Sequence, residues 1–303
     1  MQKVISTVAE LDFEIRTLSA MPIARNVLMV KPTYFNVDNP INAHMRAADG
    51  SLHKIDTSLV QSQWLGVKTA YENLGLKVKV IEGGAGLPDM VFCANQFFPC
   101  LSNSGEKLGF LSNMHNDIRH KEVPLVQKAL EEEGYKTSPI AERSSASLFE
   151  AMGDALWLPG RRFILGGYGF RTTKSIYNKL TEISASPVAV FELKNPRFYH
   201  LDTCLSVVNE TTAMACREAF TDEGWMLLKG IFNTLIEIPL TEADSPAFAG
   251  NAHCPDGKHV ILQKGSIVTE AALRKAGLGP VAVDTSEFIK SGGSVFCMKL
   301  MFF

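Results

Sequence analysis

Cys297 is the residue of this chain best suited to nucleophilic chemistry, because a thiolate is a strong nucleophile near neutral pH. It lies six residues before the last one, in the segment SGGSVFCMKL over residues 291–300. Two glycines followed by apolar residues predict a strand over residues 294–300, with the thiol in its middle. A lone cysteine is commonly just a small buried apolar residue. The thiol is therefore a candidate nucleophile only if other residues complete a site.

An imidazole and several carboxylates supply the remaining chemistry. His200, beside two aromatic residues, could protonate a departing amine and then activate water. Asp89, Glu150 and Asp154 each lie close to a predicted turn or a short apolar run. Taken singly, each acid could be a turn cap and the imidazole an ordinary buried histidine. Together with Cys297, they are the groups of a cysteine hydrolase that acts on a cationic substrate.

The carboxylates favour a guanidinium as that cation. Its central carbon is a poor electrophile because resonance spreads the charge over three nitrogens, so a site must hold it with bidentate carboxylate pairs. The bound cation would also favour the thiolate, whose ordinary pKa is about 8.5. Arg119 and Arg171, the latter after the glycine-rich segment GGYGF, are candidates for a carboxylate at the substrate's other end. The alternative is that both are ordinary surface arginines.

Composition excludes several other classes of protein. The chain has 303 residues, 46% of them apolar and 20% charged, which is enough for a full hydrophobic core. A net charge of −2 gives no basic field for nucleic acid or anionic lipid. The six cysteines form no CxxC pair, which disfavours structural zinc and disulfides. Charged residues within the first 25 argue against a signal peptide. We expect a cytoplasmic protein that binds a small molecule, with no nucleic-acid or membrane partner.

Helical patterns, turns and short β-rich runs recur along the chain at intervals of roughly 50 residues, a mixed α/β pattern. About five such units predict one pseudo-symmetric domain over residues 26–303, after an N-terminal extension over residues 1–25. The ends of the units would converge on a central channel, where distant residues could meet. The strand candidates are residues 26–30, 107–112, 163–166, 188–191, 205–208, 259–263 and 294–300.

Four stretches give the chain a family resemblance: PTYFNVDNPIN at 32–42, PDMVFCAN at 88–95, GYGFR at 167–171 and FYHLDTC at 198–204. With Cys297, they resemble the guanidino-group-modifying superfamily of amidinotransferases, arginine deiminases and dimethylarginine dimethylaminohydrolases. The resemblance implies a five-bladed α/β propeller, the pentein fold, with no metal or organic cofactor. It also implies that Cys297 is the nucleophile and His200 the acid/base. The carboxylates that it assigns to binding the guanidinium or orienting the histidine are Asp89, Glu150, Asp154 and Asp202.

Within the superfamily, the chain most resembles the cyanobacterial arginine dihydrolase domain, which converts arginine to ornithine, ammonia and carbon dioxide. This likeness places Asn42 and Asn95 in the site and assigns Arg119 and Arg171 to the substrate's α-carboxylate side. Dimethylarginine hydrolases tend to carry Glu-Asp where this chain has Ala94-Asn95. An amide there can both donate and accept a hydrogen bond. The predicted function is hydrolysis of arginine to ornithine through a covalent amidino-cysteine intermediate.

Several alternatives stay open. A single round of hydrolysis would give citrulline, as in an arginine deiminase or a dimethylarginine dimethylaminohydrolase. An amine in place of water would make the protein an amidinotransferase, and an arginine-binding sensor would show no turnover. Acyl transfer by the same thiol and imidazole is disfavoured, because a developing oxyanion needs hydrogen-bond donors rather than carboxylates. The sequence also allows a homo-oligomer.

Overall fold

Short strands and helices alternate along the chain. The structure, a computed structural model, describes residues 2–303. Within this range fifteen strands are present, and the mixed α/β class is confirmed. In chain order they are β1 Val4–Ile5, β2 Asn26–Val30, β3 Lys77–Ile81, β4 Phe97–Leu101, β5 Lys107–Leu111, β6 Lys136–Pro139, β7 Ala155–Trp157, β8 Ile164–Tyr168, β9 Val188–Glu192, β10 Leu205–Val207, β11 Thr212–Ala215, β12 Thr234–Glu237, β13 His259–Gln263, β14 Gly279–Val283 and β15 Leu300–Phe302.

The helices connect strands of the same sheet or precede the next sheet. None of those in the described range is long and apolar enough to cross a bilayer. In chain order they are α1 Thr57–Asn73, α2 Asp117–His120, α3 Val123–Glu131, α4 Ala151–Asp154, α5 Ile176–Ser184, α6 Asp222–Ile231, α7 Leu240–Ala243, α8 Ile267–Lys275 and α9 Ser286–Ile289.

Five separate sheets share one plan. In each sheet one strand runs parallel to the strand that follows it in the chain, because a helical crossover returns the chain to the same edge. These parallel pairs are β2–β3, β5–β6, β8–β9, β11–β12 and β13–β14. On their other side, β2, β5, β8 and β11 pair antiparallel with β15, β4, β7 and β10. For β13 that partner is the single residue His253, opposite Ile261. We call β15, β4, β7, β10 and His253 the inner segments.

Local sequence explains where the crossover helices begin and end. Helix α1 begins after Asp56, whose carboxylate accepts the N–H groups of the first turn. The apolar residues Trp64, Val67 and Tyr71, spaced at three and four positions on one helical face, are buried, whereas Leu59 is exposed. Gly75, Gly134 and Gly277 follow α1, α3 and α8 with φ values of +79°, +87° and +78°, which favour glycine. Each glycine leads from its helix into the next strand, β3, β6 or β14.

The predicted strand over residues 294–300 is wrong, since β15 begins only at Leu300. The N–H of Met298 bonds the carbonyl of Ser294 at 3.1 Å, which closes a turn. Asn251 Oδ1 accepts the N–H groups of Ser294 and Cys297, so these donors have no need of a neighbouring strand. Cys297 therefore lies in a turn immediately before an inner segment, not in the middle of a strand.

Residues 2–25 pack against the sheet of β7, β8 and β9 and against helix α6. Strand β1 adds to the edge of this sheet by pairing parallel with β9. Further along, the N–H of Arg162 bonds the carbonyl of Ser19, and the N–H of Met21 bonds that of Gly160. One apolar core cluster extends from Ile5 to Phe302 and includes residues from every sheet. The domain boundary at residue 26 stays a prediction.

Substitution of Gly109 by alanine tests the packing of β4 against β5. A Cβ at Gly109 would lie 1.9 Å from the ring of Phe97, which is fully buried. We expect Gly109→Ala to lower the free energy of unfolding by about 1–3 kcal/mol in urea titrations. The control is Gly66→Ala in α1, where nothing lies within 4 Å and stability should rise by up to about 1 kcal/mol. Unchanged or increased stability of Gly109→Ala would contradict this packing.

Candidate active site

The segments that precede the inner segments bring the predicted residues together. Asp89 and Asn95 precede β4, Glu150 precedes β7, His200 precedes β10 and Cys297 precedes β15. Seven of the predicted site residues line one small cavity. Glu150 and Asp202 do not line it but bond His200 and Cys297, which do, and Asp154 bonds Leu201, the neighbour of His200. The lining residues are Ile41, Asn42, Asp89, Phe92, Asn95, Arg119, Arg171, Tyr199, His200, Ser291 and Cys297.

The sulfur of Cys297 lies between a carboxylate and an amide. Its Sγ is 3.2 Å from Asp202 Oδ2 and 3.1 Å from Asn251 Nδ2, and the residue is 3% exposed. Burial, and next the charge of Asp202, raise the pKa of the thiol well above its ordinary value. Burial also raises the pKa of Asp202, to about 7. A cation beside the sulfur would oppose these shifts and favour the thiolate.

Glu150 orients the imidazole of His200. Its Oε2 is 2.6 Å from His200 Nε2, and its Oε1 accepts the N–H of His115 at 2.9 Å. Burial alone would raise the pKa of Glu150, but Arg171, 3.4 Å away, and His200 hold it well below its ordinary value. Glu150 is therefore an anion whose Oε2 accepts a hydrogen bond from the Nε2–H of His200. The other ring nitrogen, Nδ1, makes no hydrogen bond within residues 2–303 and is free for proton transfer.

Asp154 fixes the turn that carries His200, and it does not line the cavity. Its Oδ1 accepts the N–H of Leu201 at 3.0 Å, and its Oδ2 accepts the hydroxyl of Thr172 at 2.7 Å. Burial raises the pKa of Asp154 to about 7. A Cβ at Gly167 would lie 3.0 Å from this carboxylate and 2.7 Å from the Leu201 side chain, so the glycine allows the close approach.

Arg119 orients the amide of Asn95. Its guanidinium donates to Glu122, to the carbonyl of Phe92 at 2.7 Å and to Asn95 Oδ1 at 3.1 Å. Oδ1 of Asn95 is thus occupied by the bond to Arg119. Nδ2 of the same amide is buried and has no partner among the described residues. A Cβ built on Gly153 would lie 2.2 Å from this nitrogen and 3.3 Å from His200 Nδ1. The unpaired donor therefore lies near the imidazole, where it suits an acceptor atom of a substrate or water.

Arg171 and Asn42 fix the covering segment, residues 41–44, of which Ile41 and Asn42 line the cavity. Arg171 donates to the carbonyl of Ile41 at 2.7 Å, and its guanidinium stacks over the Tyr199 ring at 4.8 Å. Asn42 donates to the carbonyl of Ser291 at 2.9 Å. Both predicted residues line the site, and each also has a defined task in shaping it.

Asp89 is the carboxylate that lines the cavity. Its Oδ1 accepts the hydroxyl of Ser291 at 2.9 Å, and it is 6% exposed. Burial raises the pKa of Asp89, although Arg119 and Ser291 oppose the shift. One oxygen is thus positioned by the protein, and the carboxylate can pair with a cation entering the cavity.

Sequence reasoning missed Asn251, Ser291 and Glu122. Asn251 contacts the sulfur, Ser291 positions Asp89, and Glu122 is the buried anion that pairs with Arg119. Asparagine and serine are common turn residues, so their types carried no signal. Glu122 lies three residues after Arg119 at the start of a helical pattern. That i, i+3 spacing could have indicated the ion pair.

Comparison with solved structures identifies the class of protein. The substrate-bound N-terminal domain of ArgZ, an arginine dihydrolase from cyanobacteria, matches with a TM-score of 0.82 and 26% identity over 91% of this chain and 97% of that one. DDAH from Pseudomonas aeruginosa with citrulline matches with a TM-score of 0.75 at 20% identity, which supports the fold alone. The chain therefore has the mixed α/β fold of the penteins, the guanidino-modifying superfamily.

Sequence comparison gives the family. The model of the family described as N,N dimethylarginine dimethylhydrolase, eukaryotic, matches residues 31–303. The N(G),N(G)-dimethylarginine dimethylaminohydrolase of Mycobacterium tuberculosis (strain ATCC 25618 / H37Rv) is 33% identical over 92% of this chain and 86% of its own length. The bifunctional arginine dihydrolase/ornithine cyclodeaminase AgrE of Nostoc sp. (strain PCC 7120 / SAG 25.82 / UTEX 2576) is 29% identical over 90% of this chain and 37% of its own length. The chain belongs to the dimethylarginine dimethylhydrolase family and is a hydrolase of guanidino C–N bonds. The predicted superfamily and enzyme class are confirmed.

The buried Asp154 should make stability depend on pH. Its pKa is 3.8 when unfolded and about 7 when folded. Between these values the folded state binds a proton that the unfolded state lacks, so the free energy of unfolding falls as pH rises. Asp154→Asn cannot titrate and keeps an acceptor for Leu201, so it should lose this part of the fall in urea titrations from pH 4 to 7. A variant whose pH dependence matches that of the unmodified protein would contradict the raised pKa.

Proposed function

We propose that the protein hydrolyses arginine to ornithine, ammonia and carbon dioxide through an amidino-cysteine intermediate. The observation that carries this proposal is the orientation of the Asn95 amide. Arg119 donates a hydrogen bond to its Oδ1, which leaves Nδ2 as an unpaired donor near His200. The similarity to solved arginine dihydrolase domains supports it. The proposal includes the finer architecture, in which the five sheets form the blades of a propeller around the cavity.

In the first round, Asp89 holds the guanidinium and Cys297 Sγ attacks its central carbon. A C–S bond forms, His200 gives a proton to the departing nitrogen, and ammonia leaves. Glu150 stabilises the imidazolium that this step requires. His200 then takes a proton from water, the hydroxide attacks the same carbon, and the C–S bond breaks to leave citrulline.

A second round on the same carbon releases the other terminal nitrogen as ammonia. This second hydrolysis leaves ornithine as its carbamate, and the carbamate then loses carbon dioxide. The second substrate is a neutral ureido group, so carboxylates no longer hold it by charge. Asn95 Nδ2 can donate to the ureido oxygen instead, since an amide suits a neutral acceptor where a Glu-Asp pair does not. Arg119 and Arg171 are assigned to the substrate's α-carboxylate side, Asn42 and Asp154 to shaping the site, and Asp202 to accepting the hydrogen bond of the Cys297 thiol.

The second candidate is hydrolysis of dimethylarginine to citrulline in a single round. The family match over residues 31–303 and the relative from Mycobacterium tuberculosis favour it. Incubation with arginine and, separately, with dimethylarginine distinguishes the two. Ornithine with a second ammonia from arginine supports the first candidate, while citrulline and dimethylamine from dimethylarginine alone support the second. Turnover that requires an added amine would indicate an amidinotransferase.

Replacement of Cys297 by alanine separates an enzyme from an arginine sensor. Without the sulfur, no C–S bond forms, so we expect product to fall at least about 10³-fold because the covalent route is lost. Arginine should still bind in calorimetry, since Asp89 and the arginines are unchanged. Equal binding by both forms, with no product from the unmodified protein on any guanidino substrate, would favour the sensor.

Asn95→Asp should change the product from ornithine toward citrulline. The carboxylate oxygen that replaces Nδ2 cannot donate to a neutral ureido group, so the first product would be released. Chromatography of the amino acids formed from arginine measures the ratio. Asn116→Asp is a matched control outside the cavity, because either residue caps α2. An unchanged product from Asn95→Asp would remove this role for the amide.

A further inference from the structure

A buried asparagine contacts the sulfur of Cys297. Asn251 is 1% exposed, and its Nδ2 lies 3.1 Å from Sγ and 2.9 Å from the main-chain oxygen of Asp202. Its Oδ1 accepts the N–H groups of Ser294 at 3.0 Å and Cys297 at 3.2 Å. The side chain therefore makes four hydrogen bonds, and one of them goes to the nucleophile.

These contacts determine which end of the amide faces the sulfur. Two main-chain N–H groups meet Oδ1 and can only donate, so the NH2 end must point toward Sγ. The preceding residue is held just as closely, since a Cβ at Gly250 would lie 2.2 Å from the carbonyl of Thr203. Asn251 is thus anchored against both segments that carry His200 and Cys297.

The surroundings of the sulfur make this donor important. Cys297 and Asp202 are both acids, lie 3.2 Å apart and are buried, so they hold one proton between them near neutral pH. Tyr199 and Lys299 are further titratable groups that interact with the sulfur, and burial raises the pKa of Tyr199 well above its ordinary value. A hydrogen bond to a thiolate is stronger than one to a thiol. The amide therefore favours the form in which Asp202 carries the proton and the sulfur is charged.

We infer that Asn251 is a catalytic residue whose side-chain amide stabilises the Cys297 thiolate. The reaction steps in which the amide acts are those of the proposed function, so the inference rests on that function. In the attack, the thiol proton passes to Asp202 and the sulfur's electron pair forms the C–S bond. When water breaks that bond, the electron pair returns to the sulfur, and the amide again receives the anion. The same donor thus serves both halves of each round.

The test measures the reactivity of the thiol without any substrate. Cys297 is alkylated with iodoacetamide across a range of pH, and the modified peptide is counted by mass spectrometry, which separates it from the other five cysteines. Asn251→Asp keeps the acceptor for the two N–H groups but replaces the donor with a carboxylate. Asn251→Ala removes the donor without adding charge. We expect both variants to react roughly ten- to a hundred-fold more slowly at neutral pH, with the thiol pKa raised.

Controls separate this effect from loss of structure. Asn209→Asp makes the same change where the amide oxygen likewise accepts a main-chain N–H, that of Thr211, and it should leave alkylation unchanged. The inference is overturned if either Asn251 variant folds and reacts at the unmodified rate and pH dependence. Should both variants fail to fold, NMR of the unmodified protein decides. The Asn251 side-chain amide protons should shift as the thiol titrates, and constant resonances would overturn the inference.

The readout also distinguishes failure of this inference from failure of the proposed function. If the unmodified protein turns over no arginine but both Asn251 variants lose alkylation rate, the donor role holds and the proposed substrate is wrong. If arginine is converted to ornithine and the Asn251 variants alkylate normally, the function holds and this inference is wrong.

Discussion

The contact between Cys297 and Asp202 is the constraint on which the rest of the site depends. Two acids 3.2 Å apart in a buried place cannot both ionise at low cost. The site therefore needs a donor to the sulfur, which Asn251 provides, and a cation, which a guanidinium substrate can provide. Glu150 and His200 form a separate pair with its own charge balance. The nucleophile and the proton carrier thus have different hydrogen-bonded carboxylates, while the charge of Arg119 acts on both of these carboxylates.

Chemistry-bearing residues were the most predictable part of the site. Cys297, His200 and Asp89 have reactive or charged side chains, and the repeated α/β units explain why they meet. The roles of Asn251 and Ser291 could not be predicted, because their importance comes only from which atoms they face in the fold. The orientation of the Asn95 amide depends on Arg119, which lies far away in sequence. Such choices of orientation leave no pattern in the sequence.

The periodic helices and several buried strands, such as β2, β9 and β13, were predictable, whereas β4 and the backbone around Cys297 were not. Helix α1 and the glycines that end the helices have regular local signals. Strand β4 is buried on both faces and contains Pro99, so it shows no alternation. Around Cys297, apolar residues suggested a strand, but side-chain hydrogen bonds from Asn251 stabilise a turn. Tertiary contacts override the local preference for a strand there.

Three side-chain hydrogen bonds to main-chain oxygens anchor the covering segment. Arg171 bonds the carbonyl of Ile41, Asn42 that of Ser291, and His44 that of Arg197 at 2.8 Å. Every residue type presents the same carbonyl, so these bonds place no demand on the side chains of the accepting residues. A substitution at position 41 therefore keeps the bond to Arg171, whereas Ser291 also supplies the hydroxyl that positions Asp89, and Arg197 pairs with Asp244. Sequence divergence at such a position would then overstate divergence in the shape of the covering segment.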